Sequence, residues 1–234
     1  MLDRWETPLD PRRIRAWRRR LLYKRIVWRL TFGLASSVKR ALDVLGSACA
    51  ILTFSPIFLA SALLVKLEDG GPITFRQTRI GRGGRPFKML KFRSMVPNAE
   101  AIKAKIMADN KHGTEGVTFK MADDPRVTRV GRVLRKYSID EFPQFFNVFF
   151  GEMSLVGPRP SLPQEVTRYK AWQLRRLKVK PGITCLWQIG GRSDIDFEGQ
   201  VRLDLEYIAS ESLWTDLKIL LKTVPAVISG RGAY

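Results

Sequence analysis

Two adjacent carboxylates, Asp140 and Glu141, are the residues of this sequence whose type and spacing best suit chemistry. They follow Arg135 and precede Pro143 in the segment RKYSIDEFPQ. Ser138 and Glu141 also have the S-x-x-E spacing of a capping box, which would make both of them ordinary helix-start residues. A helix capped by Ser138 places Pro143 at the fifth helical position, where its missing donor matters. A start one or two residues later places Pro143 in the tolerant first turn.

Either start puts the two carboxylates at a helix N-terminus, where the helix dipole and unpaired amide groups favour anions. We therefore expect both side chains to be ionised and able to act as a nucleophile or as metal ligands. The chain has one histidine and two distant cysteines, which excludes a zinc cluster and a CxxC redox pair. Carboxylates beside basic residues suit chemistry on a phosphate, and Mg2+, which prefers carboxylate and phosphate oxygens, fits this set.

Further basic residues are candidates for contacting such a phosphate. Arg159 lies between two prolines in VGPRP, and the rigid backbone lowers the entropy cost of presenting its guanidinium group. Lys91 and Arg93 lie in LKFRSM, and Arg192 lies in GGRSD. A solvated role stays open for each of these residues, and a plain rigid loop is the alternative for VGPRP.

The elements that position these residues begin with an apolar segment. Residues 44–65 hold no charged side chain, and about 20 apolar residues suffice to span a bilayer. Lys39 and Arg40 precede the segment. A second basic group follows it, formed by Lys66, Arg76, Arg79, Arg82 and Arg85. Both flanks are therefore expected on the cytoplasmic side of a membrane.

Ser55 and Pro56 lie in the middle of this segment. The proline removes a backbone donor, and the serine hydroxyl can bond a backbone group that the proline leaves free. We predict a sharp bend, so that residues 41–65 enter and leave the membrane by the same face as a re-entrant helix. An ordinary kinked helix that crosses the membrane is the alternative.

Residues 1–40 form a basic arm with twelve Lys or Arg and three acidic residues, in a chain of formal net charge +19. Ile14, Trp17, Leu21 and Trp28 share one helical face, which predicts an amphipathic helix on anionic membrane lipids. A solvated arm is the alternative. Residues 73–95 predict a β-hairpin around GRGG, and helical patterns dominate the rest. The predicted helices cover residues 130–137, 142–150, 163–178, 197–210 and 215–228.

Several segments together resemble the bacterial sugar transferases, the monotopic polyprenyl-phosphate phosphoglycosyl transferases. They are KRALDVLGSACAILTFSPIFL, RQTRIGRGGRPFKMLKFRSM, DDPRVTRVGRVLRKYSIDEFPQFFNVFFGEMSLVGPRP, KPGITCLWQIGGRSD and ISGRGAY. The resemblance covers about residues 38–234. Two departures are Cys185, where that family usually has glycine, and Phe142, where leucine is common; neither touches the proposed chemistry.

This resemblance implies a mainly α fold with a small β-hairpin, in which residues 66–234 form a compact cytoplasmic catalytic domain that lies on the bilayer. It implies transfer of a sugar phosphate from a UDP-sugar to undecaprenyl phosphate at the cytoplasmic face of the bacterial inner membrane, which initiates exopolysaccharide, capsule or O-antigen synthesis. By the same resemblance Asp140 is the nucleophile and Glu141 the Mg2+ ligand. The phosphates would be contacted by Lys91, Arg135, Arg159 and Arg192.

Two other classes of function fit parts of the sequence. The charge and the interleaved aromatic residues also suit a membrane-tethered nucleic-acid-binding protein, but such a protein has no need of Asp140 and Glu141, and we expect no nucleic-acid partner. A non-catalytic scaffold of the same fold is the other alternative, against which the intact carboxylate pair argues. The identity of the sugar and the oligomeric state, including a homo-oligomer, stay open.

Overall fold

A computed structural model describes residues 11–99, 102, 124–190 and 195–229. The helices are α1 (Pro11–Thr53), α2 (Ser55–Asp69), α3 (Arg129–Lys136), α4 (Gln144–Phe150), α5 (Pro163–Val166), α6 (Leu186–Gly190), α7 (Phe197–Ala209) and α8 (Leu213–Ser229). The strands are β1 (Thr74–Ile80), β2 (Pro86–Phe92), β3 (Ser154–Val156) and β4 (Gly182–Thr184). Single 3-10 turns lie at Arg82–Gly84, Ile139–Glu141 and Gln173–Lys178. The prediction of a mainly helical fold with a small hairpin is confirmed.

Contacts divide the chain into two units, Met1–Leu42 and Asp43–Tyr234. The first unit is helical in its described part, and the side chain of Trp17 is exposed there. The predicted partners of Trp17 on one helical face, Ile14, Leu21 and Trp28, have side chains outside the described part of the structure. The amphipathic arm therefore stays a prediction.

The bend predicted at Ser55 and Pro56 is present. Pro56 has no N–H to donate to the carbonyl of Leu52, and the hydroxyl of Ser55 donates to that oxygen instead at 2.8 Å. Among the described residues no single helix is long and apolar enough to cross a membrane. Gly33–Thr53 and Ser55–Asp69 reach that length and composition only as a pair, and they are bent by 62°. Re-entry into a membrane stays a prediction.

The hairpin forms as predicted, with β1 and β2 antiparallel around the turn at Arg82–Gly84. The register pairs Phe75 with Lys91 and Arg79 with Phe87, so the odd-numbered residues of both strands share one face. On that face Met89 is buried against Val148 and Met153. This face of the hairpin therefore turns toward the rest of the second unit.

The second unit differs from the prediction in several places. The predicted helix 163–178 is only the short α5 followed by a 3-10 turn at Gln173–Lys178, and between them the backbone N–H of Lys170 donates to the side chain of Gln173. The sequence analysis also missed the parallel pair of β3 and β4. Each of these strands has three residues, too few to show an alternating pattern.

In the part that the structure describes, the second unit packs around three small apolar clusters. Their buried residues are Val65, Phe92 and Leu134; Met89, Val148 and Met153; and Val156, Tyr207 and Ile219. The end of α1 is fixed to β3 by Asp43, whose buried carboxylate accepts from the hydroxyl of Ser154 and the N–H of Leu155, both at 2.9 Å. These contacts hold the apolar helices beside the strands that carry the candidate site.

Candidate active site

Lys91 and the two adjacent carboxylates meet at the end of β2. The Nζ atom of Lys91 lies 2.6 Å from Oε1 of Glu141 and 3.9 Å from Oδ2 of Asp140. The side chains of Asp140 and Glu141 are 11% and 21% exposed, so Asp140 is nearly buried and Glu141 is the more accessible of the two. The lysine thus neutralises Glu141 directly and leaves Asp140 the less engaged of the two.

The backbone around the pair differs from both predicted helix starts. Helix α3 ends at Lys136, and Ser138 adopts a left-handed conformation with a φ of 56° and makes no side-chain capping bond. Asp140 and Glu141 lie in a separate 3-10 turn, and α4 begins only at Gln144, after Pro143. The capping box is therefore wrong, and so is the placement of the pair in the first turn of an α-helix. A left-handed Ser138 costs about 1 kcal/mol or more, so the surrounding packing must hold this turn in place.

The environment shifts the pKa values of the two carboxyl groups in opposite directions. Burial raises the pKa of Asp140 to about 6, against the opposing effect of Lys91. Burial acts on Glu141 in the same sense, but Lys91 and Arg159 outweigh it and lower the pKa of that group to about 2. Nearby cations, rather than a helix dipole, keep Glu141 ionised. Adjacent carboxyl groups with separated pKa values can take different roles.

An open recess lies against Glu141, and its lining also includes Arg79, Lys91, Gln144 and Arg159. Arg159 is exposed at the rim, with its guanidinium carbon 5.9 Å from the ring centre of Trp187. Three basic side chains thus face the recess with a single carboxylate, Glu141, among the lining residues. This excess of positive charge suits a ligand with more than one negative charge, such as a diphosphate.

The remaining predicted site residues lie in different places. Arg135 is half-buried, lowers the pKa of Asp140, and has a buried Nη1 atom without a hydrogen-bond partner in the described structure. Arg93 is buried in an ion pair with Asp69 at the end of α2, so its guanidinium group is engaged there and not at the carboxylate pair. Arg192 lies outside the described residues. The structure thus brings Lys91 and Arg159 to the pair, with Arg135 acting on Asp140.

Two residues of the recess were missed by the sequence analysis. Arg79 was counted only as part of the basic flank of the apolar segment, and Gln144 was not considered. A signal for Arg79 was present, because the hairpin register places odd-numbered Arg79 on the same face as Lys91. Gln144 carries no such signal, since it is buried at the start of a helix of only seven residues.

The carboxylates of the site fit Mg2+ if the substrate phosphates supply the remaining ligands. The described residues contain no group of three or more His, Cys, Asp or Glu side chains that could enclose a metal ion. Magnesium commonly takes one or two protein carboxylates and completes its shell with water and substrate phosphates. Glu141, with its low pKa and its position on the recess, supplies such a carboxylate.

Comparison with known proteins gives a consistent set of relatives. The family model described as bacterial sugar transferase matches residues 34–230. The chain is 44% identical over 198 residues to the exopolysaccharide production protein ExoY of Rhizobium meliloti (strain 1021), which covers 84% of this chain and 88% of that protein. It is 42% identical over 204 residues to the UDP-glucose:undecaprenyl-phosphate glucose-1-phosphate transferase of Caulobacter vibrioides, covering 84% and 72% of the two chains.

The chain is also 41% identical over 199 residues to the undecaprenyl-phosphate galactose phosphotransferase of Salmonella typhimurium (strain LT2), which covers 84% of this chain and 42% of that protein. Several of these relatives are longer. The chain spans about two fifths of their length.

Proposed function

Because the chain belongs to the bacterial sugar transferase family, we propose that it transfers a sugar 1-phosphate from a UDP-sugar to undecaprenyl phosphate and so initiates exopolysaccharide synthesis. The observation that carries the proposal is the geometry of the pair: Lys91 binds Glu141, which lines a recess with excess positive charge, and leaves Asp140, 3.9 Å from the same lysine, less engaged. The names of the relatives support both substrates.

The proposed reaction has two displacements at one phosphorus atom. A carboxylate oxygen of Asp140 attacks the β-phosphorus of the UDP-sugar, and the bond from that phosphorus to the bridging oxygen breaks, so that UMP leaves with the bridging oxygen. A phosphate oxygen of the lipid then attacks the aspartyl phosphosugar and releases the carboxylate of Asp140. The lipid phosphate is already an anion, so this step needs no general base.

The chain's own residues have distinct tasks in this scheme. Lys91 and Arg159 stabilise the charge of the diphosphate, and Arg135, whose Nη1 atom is unpartnered in the described structure, stabilises the carboxylate of Asp140. Glu141 would hold Mg2+, which when bound neutralises charge on the diphosphate. Lys91 binds Glu141, whereas Asp140 has the higher pKa, and the more basic and less strongly bound carboxylate is the better nucleophile toward phosphorus.

We also propose that the enzyme acts at the cytoplasmic face of the bacterial inner membrane. The bent pair of helices supports this, because both of its basic flanks then stay on one side. Large apolar side chains on α2 are exposed, and such a surface calls for a non-aqueous partner. They are Ile57, Leu59, Leu63, Leu64 and Leu67. A lipid phosphate and a soluble nucleotide could both reach a site beside these helices.

The test is UMP release by the full chain in detergent micelles that contain undecaprenyl phosphate and Mg2+. UDP-glucose, UDP-galactose and UDP-N-acetylgalactosamine are compared, and at least one is expected to be turned over. Asp140→Asn should lose about a thousandfold or more in rate, because an amide oxygen is a very poor nucleophile toward phosphorus. Glu206→Gln, which alters an exposed carboxylate on α7, is the matched control and should keep full activity.

The same preparation tests the covalent step. With a UDP-sugar labelled in the sugar and without lipid acceptor, label should remain on the wild-type protein, be lost in hydroxylamine, and be absent from Asp140→Asn. No UMP release from any UDP-sugar would contradict the proposed activity. Turnover without a trapped adduct, together with substantial activity of Asp140→Asn, would contradict the nucleophile and leave direct transfer between the two substrates.

A further inference from the structure

Arg79 is a buried arginine of the recess whose guanidinium group is only partly bonded. Its Nη1 atom donates to the carbonyl oxygen of Pro160 at 3.1 Å, and its Nη2 atom donates to Oε1 of Gln77 at 2.7 Å. Its Nε atom is buried and has no hydrogen-bond partner among the described residues. The side chain is 8% exposed. The two Nη atoms of the guanidinium group are thus hydrogen-bonded, and the Nε donor is unused.

The charge of Arg79 also lacks a direct counter-ion. Among the described residues no carboxylate lies within 4 Å of its guanidinium group, and the acidic groups that act on it, Glu165 and Glu141, do so from a greater distance. Burial and the neighbouring Arg159 lower the pKa of Arg79 to about 10, which still leaves it protonated at neutral pH. A buried, unpaired cation is costly, and an anion that enters the recess would offset that cost.

The loop that carries Arg159 is held by hydrogen bonds to four consecutive carbonyl oxygens, those of Pro158–Ser161. Together they accept from three parts of the second unit. The donors are, in order, the N–H of Gly182 at 2.9 Å, the side chain of Arg176 at 3.4 Å, the side chain of Arg79 at 3.1 Å and the N–H of Ile80 at 2.9 Å. Adjacent residues of β1 therefore hold the half of the loop that follows Arg159.

We propose that Arg79 is a positioning residue that fixes Arg159 for binding the diphosphate of the donor, and that this diphosphate supplies the counter-charge Arg79 lacks. The inference rests on the proposed function for the identity of the donor. The ligand class follows from the recess itself, where Arg79, Lys91 and Arg159 face a single carboxylate. A diphosphate carries enough negative charge to balance both arginines, whereas a neutral sugar would leave them uncompensated.

Two substitutions separate the charge of Arg79 from its hydrogen bond. Arg79→Gln removes the charge and keeps an N–H donor for Pro160, while Arg79→Lys keeps the charge and loses the fork. Arg76→Gln is the matched control, because Arg76 lies on the same strand but is exposed. The full chain in detergent is titrated with UDP and with inorganic pyrophosphate by calorimetry, and its Tm is recorded with and without each ligand.

For Arg79→Gln we expect affinity for UDP and for pyrophosphate to fall about tenfold or more, since a charged hydrogen-bonding partner is lost. Its Tm without ligand should stay within about 2 °C of the wild type or rise, because an unpaired buried charge is removed. In turnover, KM for the UDP-sugar should rise while kcat changes by less than about threefold, and Arg79→Lys should recover most of the affinity. In the double variant with Arg159→Gln, the fold-loss in affinity should be less than the product of the two single fold-losses, because one residue acts through the other.

Unchanged affinity and KM in Arg79→Gln would overturn the inference. A fall in the unliganded Tm of both Arg79 variants with wild-type affinity in the folded protein would overturn it too, because Arg79 would then serve only the fold. Failure of the wild type to bind either UDP or pyrophosphate would also overturn it. Binding that depends on Arg79, without UMP release from any UDP-sugar, would instead support the inference and contradict the proposed activity.

Discussion

Lys91 makes two neighbouring carboxylates chemically different. It lies 2.6 Å from Glu141 but 3.9 Å from Asp140, and opposite charges attract more strongly at the shorter distance. Burial raises the pKa of Asp140 to about 6, whereas at Glu141 Lys91 and Arg159 outweigh burial and lower the pKa to about 2. Glu141 thus suits the role of a permanent ligand for a cation, and Asp140 suits that of a nucleophile that is only weakly held.

Glu141→Gln is expected to lose about a hundredfold or more in UMP release, because an amide is a much weaker ligand for Mg2+ than a carboxylate. Excess EDTA should abolish the activity of the wild type, and added Mg2+ should restore it. The measurement is the rate as a function of Mg2+ concentration, together with the Mg2+-dependent rise in Tm in the presence of UDP. Wild-type activity in EDTA, or a normal Mg2+ response in Glu141→Gln, would contradict the assignment.

The residue types of the site could be predicted from the sequence, but not all of their neighbours. The sequence predicts the carboxylate pair at 140 and 141 and the proline-flanked Arg159, because adjacent acidic residues and prolines are visible in a short stretch of sequence. Arg93 shows the limit. It lies two residues after Lys91, just beyond the end of β2, and is buried against Asp69; only the packing of α2 on the hairpin decides which arginine faces the recess.

At the scale of elements, the site depends on β3 and β4, the parallel pair missed by the sequence analysis. Gly182 and Gly157 approach so closely that a Cβ atom on Gly182 would lie 2.1 Å from the backbone nitrogen of Gly157. No side chain fits there, because the obstructing atom belongs to the backbone. The same glycine donates its N–H to Pro158, the first residue of the loop that carries Arg159. Gly182 therefore determines both the packing of β3 against β4 and the position of the loop that carries Arg159.

Gly182→Ala is expected to lower the free energy of unfolding by about 3 kcal/mol, as overpacking against a fixed backbone does. Chemical unfolding of the full chain in detergent is the measurement. Gly190→Ala is the matched control, since a Cβ atom on Gly190 meets nothing within 4 Å, and its stability should stay within about 0.5 kcal/mol of the wild type. Equal stability of the two variants would show that β3 and β4 do not pack this closely.

Helices and the hairpin were predictable because apolar periodicity and a glycine-rich turn are local signals. The break in the predicted helix 163–178 was not, because it depends on distant partners. Tyr169 donates to Ser161 and accepts from Arg176, and Arg176 forms a buried ion pair with Asp204 of α7. These polar contacts draw the segment out of a continuous helix and bring Arg176 under the loop of Arg159.

At the scale of the whole molecule, the bend at Pro56 decides how the chain meets a membrane. With proline at this position the carbonyl of Leu52 is served by the hydroxyl of Ser55, and the helix axis turns by 62°. Leucine at position 56 would restore an N–H for that carbonyl and allow a straight helix. The charge-free residues 44–65 would then be about 33 Å long, which matches the apolar thickness of a bilayer.

Pro56→Leu is therefore expected to convert a helix that returns to the cytoplasmic face into one that crosses, carrying the N-terminal residues to the other side. The reporter is Trp17→Cys in a Cys49→Ser background, because Trp17 and Cys49 are both exposed and Cys185 is buried. Intact cells are treated with a membrane-impermeant maleimide. With Pro56 the reporter should be labelled only after lysis, and with Leu at that position it should be labelled in intact cells.

The control for this experiment is a second reporter, Arg82→Cys, in the exposed turn of the hairpin. It lies beyond the bend in the chain and should stay protected in intact cells with either residue at position 56, since basic residues that follow the apolar segment hold that side in the cytoplasm. Labelling of the residue-17 reporter from outside while Pro56 is present would mean that the native helix already crosses the membrane. Protection of both reporters in Pro56→Leu would mean that the bend does not depend on the missing N–H. The helix would then be held at the surface by the packing of α2 against the hairpin and α3, which involves Val65, Phe92 and Leu134.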